Sequence, residues 1–313
     1  MSPSFLIIGA TGNTGRGLVE LLSENIQSSQ TFSNYRILAQ TRSAGGSVAK
    51  ELAKLRNVEI VENNWPDITP QWLREQDVVR AFIASHNNTN FFAEETTFHW
   101  AALRAGVKYV VRISTTAANV RPDNEAYYTR THWAIETMLD TPAYQSMHWT
   151  SLRANMFFNM FLGASAEFIK NVRAGNEQGT LHLVASEDAP VGIIDPYDVS
   201  RFAAKLLLEE DTSPHNKVRY VLNGPEDING EDVVAMVEER IGAKVKDVSF
   251  KDMSVLDPMV TATTESKNVI SSLKTACQTA WAGLCKAETT SKEVLRLAPA
   301  QIRAGAALDA MLQ

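Results

Sequence analysis

The chain has 313 residues, of which 44% are hydrophobic and 21% charged, and a net charge of -6. This is the composition of an ordinary globular protein with one large or two unequal domains, and the lack of a basic excess argues against nucleic acid as the main partner. No apolar run reaches the roughly twenty residues of a membrane span, and residues 1–4 are too short for a targeting segment, so we expect a cytoplasmic protein.

The stretch 5–15 reads FLIIGATGNTG and precedes an apolar helical segment at 18–22. Its first four residues are typical of a buried parallel strand, so the order is strand, glycine-rich turn and helix. Such a turn brings the backbone close to a diphosphate, which the free N–H groups at the helix start attract. The alternative is that the glycines only allow a tight turn. We predict that the turn binds a nucleotide through Gly9, Thr11, Gly12, Asn13, Thr14 and Gly15.

A second predicted strand, 35–40, runs into the sequence QTRS at 40–43. NAD-specific sites place Asp or Glu here for the ribose 2′-hydroxyl, whereas a 2′-phosphate needs a cation and hydroxyl donors. No acid lies between residues 35 and 50. The sequence therefore predicts NADP(H) rather than NAD(H), with Arg42 and Ser43 at the 2′-phosphate. Arg16 is either a second contact of this kind or a solvated residue at the helix start.

Polar residues follow the next three predicted strands, 58–61, 78–84 and 107–113. After the first of these, the amide of Asn64 is a candidate to bond the adenine edge. Ser85 and His86 follow the second and are candidates to line the cofactor's ribose. Ser114 begins a row of three hydroxyl residues after the third, where a nicotinamide would lie. Each of these groups is equally consistent with a polar turn or a simple strand end.

A sixth strand is predicted at 149–153, and helical spacing separates the six strands at 46–55, 70–76, 96–105 and 133–139. Six β/α units in succession predict a Rossmann-type, doubly wound parallel sheet with ligands at the strand carboxyl ends. Further strands are predicted at 181–185, 191–194 and 218–222, and helices at 198–208 and 229–241.

The chain from residue 251 onward is predicted to be helical and irregular, with Trp281 as an anchor. Val255, Leu256 and Met259 are candidates to reach over a substrate cleft or to form an oligomer contact. Cys277 and Cys285 are the only cysteines. Two cysteines are too few for a disulfide scaffold or a metal cluster, so we expect buried thiols and no metal site.

The segments FLIIGATGNTGRG, YRILAQTRS, GVKYVVRIST, THWAIETML, WTSLRANMFFNMF and PVGIIDPYDVSRFAAKLLL follow one another in an order that resembles NmrA-like proteins. These belong to the atypical short-chain dehydrogenase/reductase group, with isoflavone-reductase-like enzymes and a bacterial NADPH:quinone oxidoreductase. The resemblance implies NADP(H) bound across the first glycine turn and a smaller C-terminal region closing over the substrate. We accordingly predict an NADP-binding Rossmann domain over 1–155, to which 190–223 return, and a smaller α/β substrate-binding region from 156–189 and 224–313.

The resemblance also implies a catalytic pattern, from which this chain departs. Many short-chain reductases have a tyrosine, a lysine four residues later and a glutamate four beyond that; here the residues are Tyr128, His132 and Glu136. The quinone oxidoreductase branch is similar in having this histidine. The spacing puts Tyr128 and His132 on one helix face, where an imidazole titrating near neutrality can relay a proton. The alternatives are a structural histidine and Tyr127 as the phenol. Ser114 would be the hydroxyl that polarises the substrate carbonyl.

The segment 153–161, which follows the sixth strand, is rich in aromatic residues and methionine. The resemblance places it near the nicotinamide, with Asn155 at the cofactor and with Met156 and Phe157 on the floor of an apolar substrate pocket. The alternative is core packing at helical spacing.

Together these features predict an NADPH-dependent reductase that transfers a hydride to a small carbonyl, quinone-like or conjugated apolar substrate. The lack of the usual lysine keeps two alternatives open, a non-catalytic NADP(H)-sensing regulator and a redox-neutral isomerase or cyclase on the same fold. The expected partner is a small apolar molecule rather than nucleic acid or a membrane, with a homo-oligomer or a protein partner also possible.

Overall fold

Nine strands lie within residues 2–313, the part of the chain that this computed structural model describes. They are β1 (Ser4–Ile8), β2 (Arg36–Thr41), β3 (Val58–Glu62), β4 (Val78–Ile83), β5 (Tyr109–Ile113), β6 (His148–Ala154), β7 (Leu181–His182), β8 (Val218–Leu222) and β9 (Val248–Ser249). Seven of them form one parallel sheet in the order β3-β2-β1-β4-β5-β6-β8, and β7 pairs with β9. The strand order reverses between β1 and β4, which is where ligands bind in doubly wound folds.

Residues 2–313 also contain thirteen α-helices. They are α1 (Asn13–Asn25), α2 (Ser47–Leu52), α3 (Pro70–Glu75), α4 (Phe91–Ala105), α5 (Tyr127–Leu139), α6 (Phe158–Arg173), α7 (Pro196–Leu208), α8 (Gly230–Ile241), α9 (Asp257–Ala262), α10 (Lys267–Ser271), α11 (Gln278–Trp281), α12 (Lys292–Leu297) and α13 (Ala304–Leu312). None of the helices in this part of the chain is long and apolar enough to cross a membrane. Helix α5 begins six residues before the helical spacing at 133–139 predicts, which places Tyr128 and His132 in its first two turns.

Both faces of the large sheet are buried. Phe5 and Ile7 of β1 pack in a core with residues of α1 and α7, whereas Leu6 and Ile8 pack in a second core with residues of α4 and α5. Because successive side chains of a strand point to opposite faces, burial on both faces requires the uninterrupted apolar run seen in the sequence. The predicted Rossmann-type fold is confirmed.

A third apolar core lies in the C-terminal part of the chain, where α6, α8 and α13 pack together. Strand β8 belongs to the large sheet and α7 packs against α1. The segment that contains α7 and β8 therefore returns to the sheet that carries the glycine turn. The division into a Rossmann domain and a substrate-binding region at the predicted boundaries stays a prediction.

The prediction of a strand at 191–194 is wrong. Its two ends make only isolated bridges. The N–H of Gly192 donates to the carbonyl of Cys285, whereas the N–H of Ile194 donates to that of Met156. Since no single strand runs alongside this segment, no ladder forms, although the segment is as apolar as a strand. The strand predicted at 181–185 is shortened to the two residues of β7.

Candidate active site

A cleft of about 760 Å³ lies at the carboxyl ends of the central strands. Its walls are formed by the segments that follow β1, β2, β3, β4, β5 and β6, joined by residues 276–277 of the C-terminal region. The strand order reverses at this point, so neighbouring loops diverge and leave room for a ligand. All of the predicted site residues except Ser43 line this cleft.

The glycine turn brings α1 up against the end of β1. Gly9 has a φ of +77°, and the N–H of Gly12 donates to its carbonyl at 2.9 Å. A β-carbon on Gly15 would lie 2.1 Å from the Gly9 carbonyl oxygen, so any side chain there would push the helix away. Helix α1 begins at Asn13 without a side-chain cap. Its first N–H groups therefore face the cleft unpaired, which suits a diphosphate.

Gln40 holds this turn in place, a role that the sequence reasoning missed. Its Oε1 accepts from the N–H of Gly9 at 3.1 Å, and its Nε2 donates to the carbonyl of Asn63 at 2.6 Å. The side chain is buried, so it ties the turn to β2 and to the segment after β3 in the absence of competing water. The signal that could have revealed this role is a polar residue at the end of a buried strand.

Arg42 follows β2 on the wall of the cleft and is exposed. Within residues 2–313 its guanidinium has neither an ion pair nor a hydrogen bond, so it is a free cation at the place where the sequence predicts the 2′-phosphate. Arg16 instead pairs with Glu20 at 2.9 Å and lies outside the cleft wall. Ser43 is exposed and also lies outside it.

The wall after β3 and β4 is built from polar side chains that bond to one another. The amide of Asn64 donates to Asp67 at 2.8 Å. His86 Nε2 lies 2.9 Å from a Glu94 carboxylate oxygen, and the ring stands edge-on to Trp65 at 6.2 Å. These contacts orient the side chains before any ligand is present.

Of the two adjacent tyrosines, Tyr128 faces the cleft. The hydroxyl of Tyr127 donates to the carbonyl of Asn87, and Tyr127 is not part of the cleft wall. Burial raises the pKa of Tyr128 to about 12. Ser114 lies on the same wall, and its buried Oγ has no partner within the described residues. An unpartnered buried hydroxyl is costly, so a ligand oxygen is the natural partner for it.

His132 also lines this wall, and one of its ring nitrogens contacts a buried arginine. Its Nδ1 is 2.9 Å from Nη2 of Arg112, and because a guanidinium has no acceptor, Nδ1 must accept. The ring is then neutral with its proton on Nε2. Burial, with the adjacent charge of Arg112, lowers the pKa of His132 to about 3. This pKa lies well below the neutral range in which the sequence predicts the imidazole to titrate, and the catalytic role of His132 stays a prediction.

Arg112 and Glu95 form a buried ion pair that the sequence reasoning also missed. Nε of Arg112 donates to Glu95, and the other Glu95 oxygen accepts from the hydroxyl of Ser85 at 2.7 Å. Burial alone would raise the pKa of Glu95, but the adjacent charge of Arg112 and the bond from His99 hold it well below its usual range. The signal was an arginine in the middle of an apolar strand, since a buried charge needs a buried partner.

Glu136, the third residue of the catalytic pattern, faces away from the cleft and into this network. It accepts from Ser151 at 2.7 Å and from Arg219 at 3.1 Å, and it forms an ion pair with Arg153. Burial would raise the pKa of Glu136, but Arg153, Arg112 and Ser151 lower it to about 2. The residue is a permanent anion that anchors α5 to β6 and β8.

Asn155 lines the cleft, but its polar atoms are already engaged. Its Nδ2 lies 2.8 Å from Oδ1 of Asn223 and 2.9 Å from the carbonyl of Cys285, and its Oδ1 accepts from the N–H of Met156 at 2.8 Å. The side chain joins the end of β6 to the C-terminal segment. Within residues 2–313 its amide donor is thus engaged by protein groups, and the predicted contact with a cofactor stays a prediction.

The far end of the cleft is apolar and uncharged. Met156 and Phe157 line it as predicted, together with Met160, Ala276 and Cys277. Arg42 and Glu94 are the lining residues with a full charge. They belong to the segments after β2 and β4, and neither is part of the apolar end. Burial raises the pKa of the Cys277 thiol to about 12, so it stays neutral and acts as a small apolar group.

The C-terminal segment that covers the cleft is not the predicted one. Val255 and Met259 are 66% and 52% exposed and lie outside the cleft wall. Residues 276–277 cover it instead, and Asn119 ties them down by donating to the Ala276 carbonyl at 2.9 Å. Trp281 is an anchor, as expected, because its indole N–H donates to the carbonyl of Val184 at 2.8 Å.

Fold and cleft together define a Rossmann-type α/β protein with a ligand site at the switch point of its sheet. The model of the NmrA-like family matches residues 1–280, and the chain belongs to this family. No curated protein matches the sequence.

Several solved structures have the same fold. The NADPH complex of the NADPH-dependent quinone oxidoreductase QOR2 from Escherichia coli has a TM-score of 0.74 and 18% identity, over 99% of this chain and 100% of that one. The NADP(H) complex of triphenylmethane reductase from Citrobacter sp. has a TM-score of 0.70 and 20% identity, over 99% and 100%. NmrA, a negative transcriptional regulator in complex with NADP, has a TM-score of 0.59 and 16% identity, over 80% and 74%.

The contact between Gly15 and Gly9 generates a first prediction. Gly15→Ala should lower the free energy of unfolding by about 1–3 kcal/mol through overpacking, and should abolish dinucleotide binding because α1 moves away from the cleft. Gly163→Ala is the matched control, because a β-carbon there meets open space in the middle of α6. Denaturant unfolding and fluorescence titration with NADPH measure both effects. Equal behaviour of the two variants would contradict the role of the contact.

Proposed function

We propose that this chain is an NADPH-dependent reductase that transfers a hydride to a small, uncharged carbonyl, quinone-like or conjugated acceptor. The observation that carries the proposal is the composition of one cleft. One end has an uncapped helix start near the unpaired Arg42, and the other has hydrogen-bond donors beside an apolar, uncharged pocket. The NADPH and NADP(H) complexes of two reductases of the same fold support this reading.

The residues of the cleft fit NADP(H). The diphosphate would accept from the backbone N–H groups of Asn13, Thr14 and Gly15, whose helix start has no other partner. Arg42 would pair with the 2′-phosphate. The bound cofactor supplies a hydride from its nicotinamide. The orphaned hydroxyl of Ser114 supports placing the nicotinamide and the acceptor at the wall after β5.

The chain's own contribution to the reaction is hydrogen-bond donation. Ser114 and Tyr128 each offer a hydroxyl, and His132 offers Nε2–H. Negative charge develops on the acceptor oxygen as hydride arrives, and fixed donors stabilise that charge. Because the pKa of Tyr128 is about 12 and that of His132 about 3, neither is an acid or base matched to neutral pH.

Catalysis by fixed hydrogen-bond donors favours one chemical class of acceptor over another. An isolated ketone becomes an alkoxide that needs a proton at once, whereas a quinone-like or conjugated acceptor delocalises its charge and takes up a proton from water afterwards. A site whose donors are fixed, with Nδ1 of His132 engaged by Arg112, suits the second kind. The uncharged pocket end further favours acceptors without a carboxylate or a cationic group.

A second candidate is an NADP(H)-sensing regulator. It is favoured by the engagement of His132 Nδ1 by Arg112, which leaves that ring without a free acceptor nitrogen, since binding without turnover needs no proton relay. NmrA, which is a negative transcriptional regulator in complex with NADP, has this fold. The two candidates differ in whether bound NADPH is consumed.

The cofactor assignment can be tested at Arg42. Arg42→Ala should weaken NADPH binding about 10-fold to 100-fold, the value of a charged hydrogen bond or two, and should leave NADH binding unchanged. Arg16→Ala is the control, because Arg16 pairs with Glu20 outside the cleft wall. Calorimetric titration with both cofactors measures the effect. An unchanged ratio of the two affinities in Arg42→Ala would rule out a 2′-phosphate contact.

Turnover can be tested with a panel of neutral quinones, enones and aldehydes. NADPH should be consumed with the quinones and enones. Ser114→Ala and Tyr128→Phe should each lower kcat on the order of 100-fold by removing a donor to the developing charge. Tyr127→Phe should keep the activity, because Tyr127 is not part of the cleft wall and its hydroxyl is already engaged by the carbonyl of Asn87. NADPH that binds tightly and is consumed with no member of the panel would favour the sensor.

A further inference from the structure

Arg112 is a fully buried arginine near the end of β5 that the proposed function does not by itself require. Its guanidinium reaches three other elements. Nε donates to Glu95 of α4, Nη1 to Ser151 of β6 at 3.1 Å, and Nη2 to His132 of α5 at 2.9 Å. It is therefore held from three sides directly beneath the wall of the cleft.

The contact with Arg112 determines which ring nitrogen of His132 accepts a hydrogen bond. A guanidinium is always protonated and can only donate, so Nδ1 of His132 is an acceptor and its proton is on Nε2. Since His132 also lines the cleft, Nε2–H is the group left for a ligand. The ring is held by neighbours as well, with Phe91 at 5.1 Å and Tyr128 edge-on at 6.2 Å between centroids.

Charges around His132 are balanced without a charge on the ring. Arg112 from β5 and Arg153 from β6 face the acids Glu95 of α4 and Glu136 of α5. A protonated ring would add an unmatched buried charge and would bring two donors together at Nδ1. Three further titratable groups complete the surroundings: His99 bonds to Glu95, Arg219 of β8 bonds to Glu136, and Tyr128 lies one turn away on α5.

This geometry excludes a proton relay through the ring. A relaying imidazole takes up a proton at one nitrogen and releases one at the other, but Arg112 occupies Nδ1 with a donor that cannot leave its proton there. We propose that Arg112 is the positioning residue of the site, which locks His132 into the Nε2–H form so that it acts as a permanent hydrogen-bond donor to the acceptor oxygen. The catalytic consequence rests on the proposed function, whereas the form of the ring is a property of the chain alone.

The form of the ring can be measured without turnover. In ¹H–¹⁵N correlation NMR of histidine-labelled protein, assigned with His132→Gln, the wild-type His132 should keep an unprotonated Nδ1 and a protonated Nε2 between about pH 5 and pH 8. In Arg112→Met the ring should titrate within this range. A wild-type ring that titrates there, or a ring unaffected by Arg112→Met, would overturn the proposal.

Two further variants separate positioning from stability. Arg80→Met removes another buried arginine, from the adjacent strand β4, whose guanidinium bonds to the carbonyls of Leu207 and Glu209. It should leave the His132 spectrum unchanged. If Arg112→Met fails to fold because Glu95 is left as an unpaired buried charge, the double variant Glu95→Gln, Arg112→Met removes that charge. Its readout is the tautomer, because burial still lowers the pKa of His132 once Glu95 is gone. A proton on Nδ1 is expected, and a ring that keeps the pure Nε2–H form would overturn the proposal.

The pH profile of kcat/KM tests the catalytic consequence. The wild-type profile with a neutral quinone should be flat between about pH 5 and pH 8. In Arg112→Met, kcat/KM should fall on the order of 10-fold because the donor is no longer held in place. Its dependence on pH should follow the NMR titration of His132. If NADPH is never consumed, the proposed function fails, but the NMR result still decides the role of Arg112. If turnover occurs while the wild-type ring titrates, the proposed function stands and the inference about Arg112 fails.

Discussion

The close approach of Gly15 to the carbonyl of Gly9 is the constraint on which the site depends. With 2.1 Å between a β-carbon on Gly15 and that oxygen, only glycine lets α1 begin directly at the end of β1. The helix start then lies uncapped where the strand order reverses. Gln40 fixes the turn from the neighbouring strand, and Arg42 extends the positive end of the cleft two residues further along.

The opposite end of the cleft depends on charges that lie beneath it. Arg112 crosses from β5 to α4, α5 and β6, and Glu95 neutralises it. Because the pair is buried, its bonds are oriented by the fold and are not screened by water. In the function that we propose, this wall supplies fixed donors rather than an acid and base pair, which links the architecture of the sheet to the kind of acceptor.

The fold was predictable because a parallel sheet that is buried on both faces leaves uninterrupted apolar runs in the sequence. The same reasoning failed at 191–194, where an apolar run has backbone partners from several segments instead of one strand. The predicted site residues other than Ser43 line one cleft, since strand ends of a parallel sheet meet at one edge, although their roles stay predictions. The state of His132 was beyond the sequence because it depends on Arg112, twenty residues earlier along the chain.

The most direct test of the account is the crystal structure of this chain with NADPH bound. The account predicts that the diphosphate contacts the backbone N–H groups at the start of α1, that the 2′-phosphate contacts Arg42, and that the nicotinamide lies beside Ser114 and Tyr128 with the apolar end of the cleft open in front of it. A dinucleotide bound elsewhere, or one whose nicotinamide points away from this wall, would contradict it.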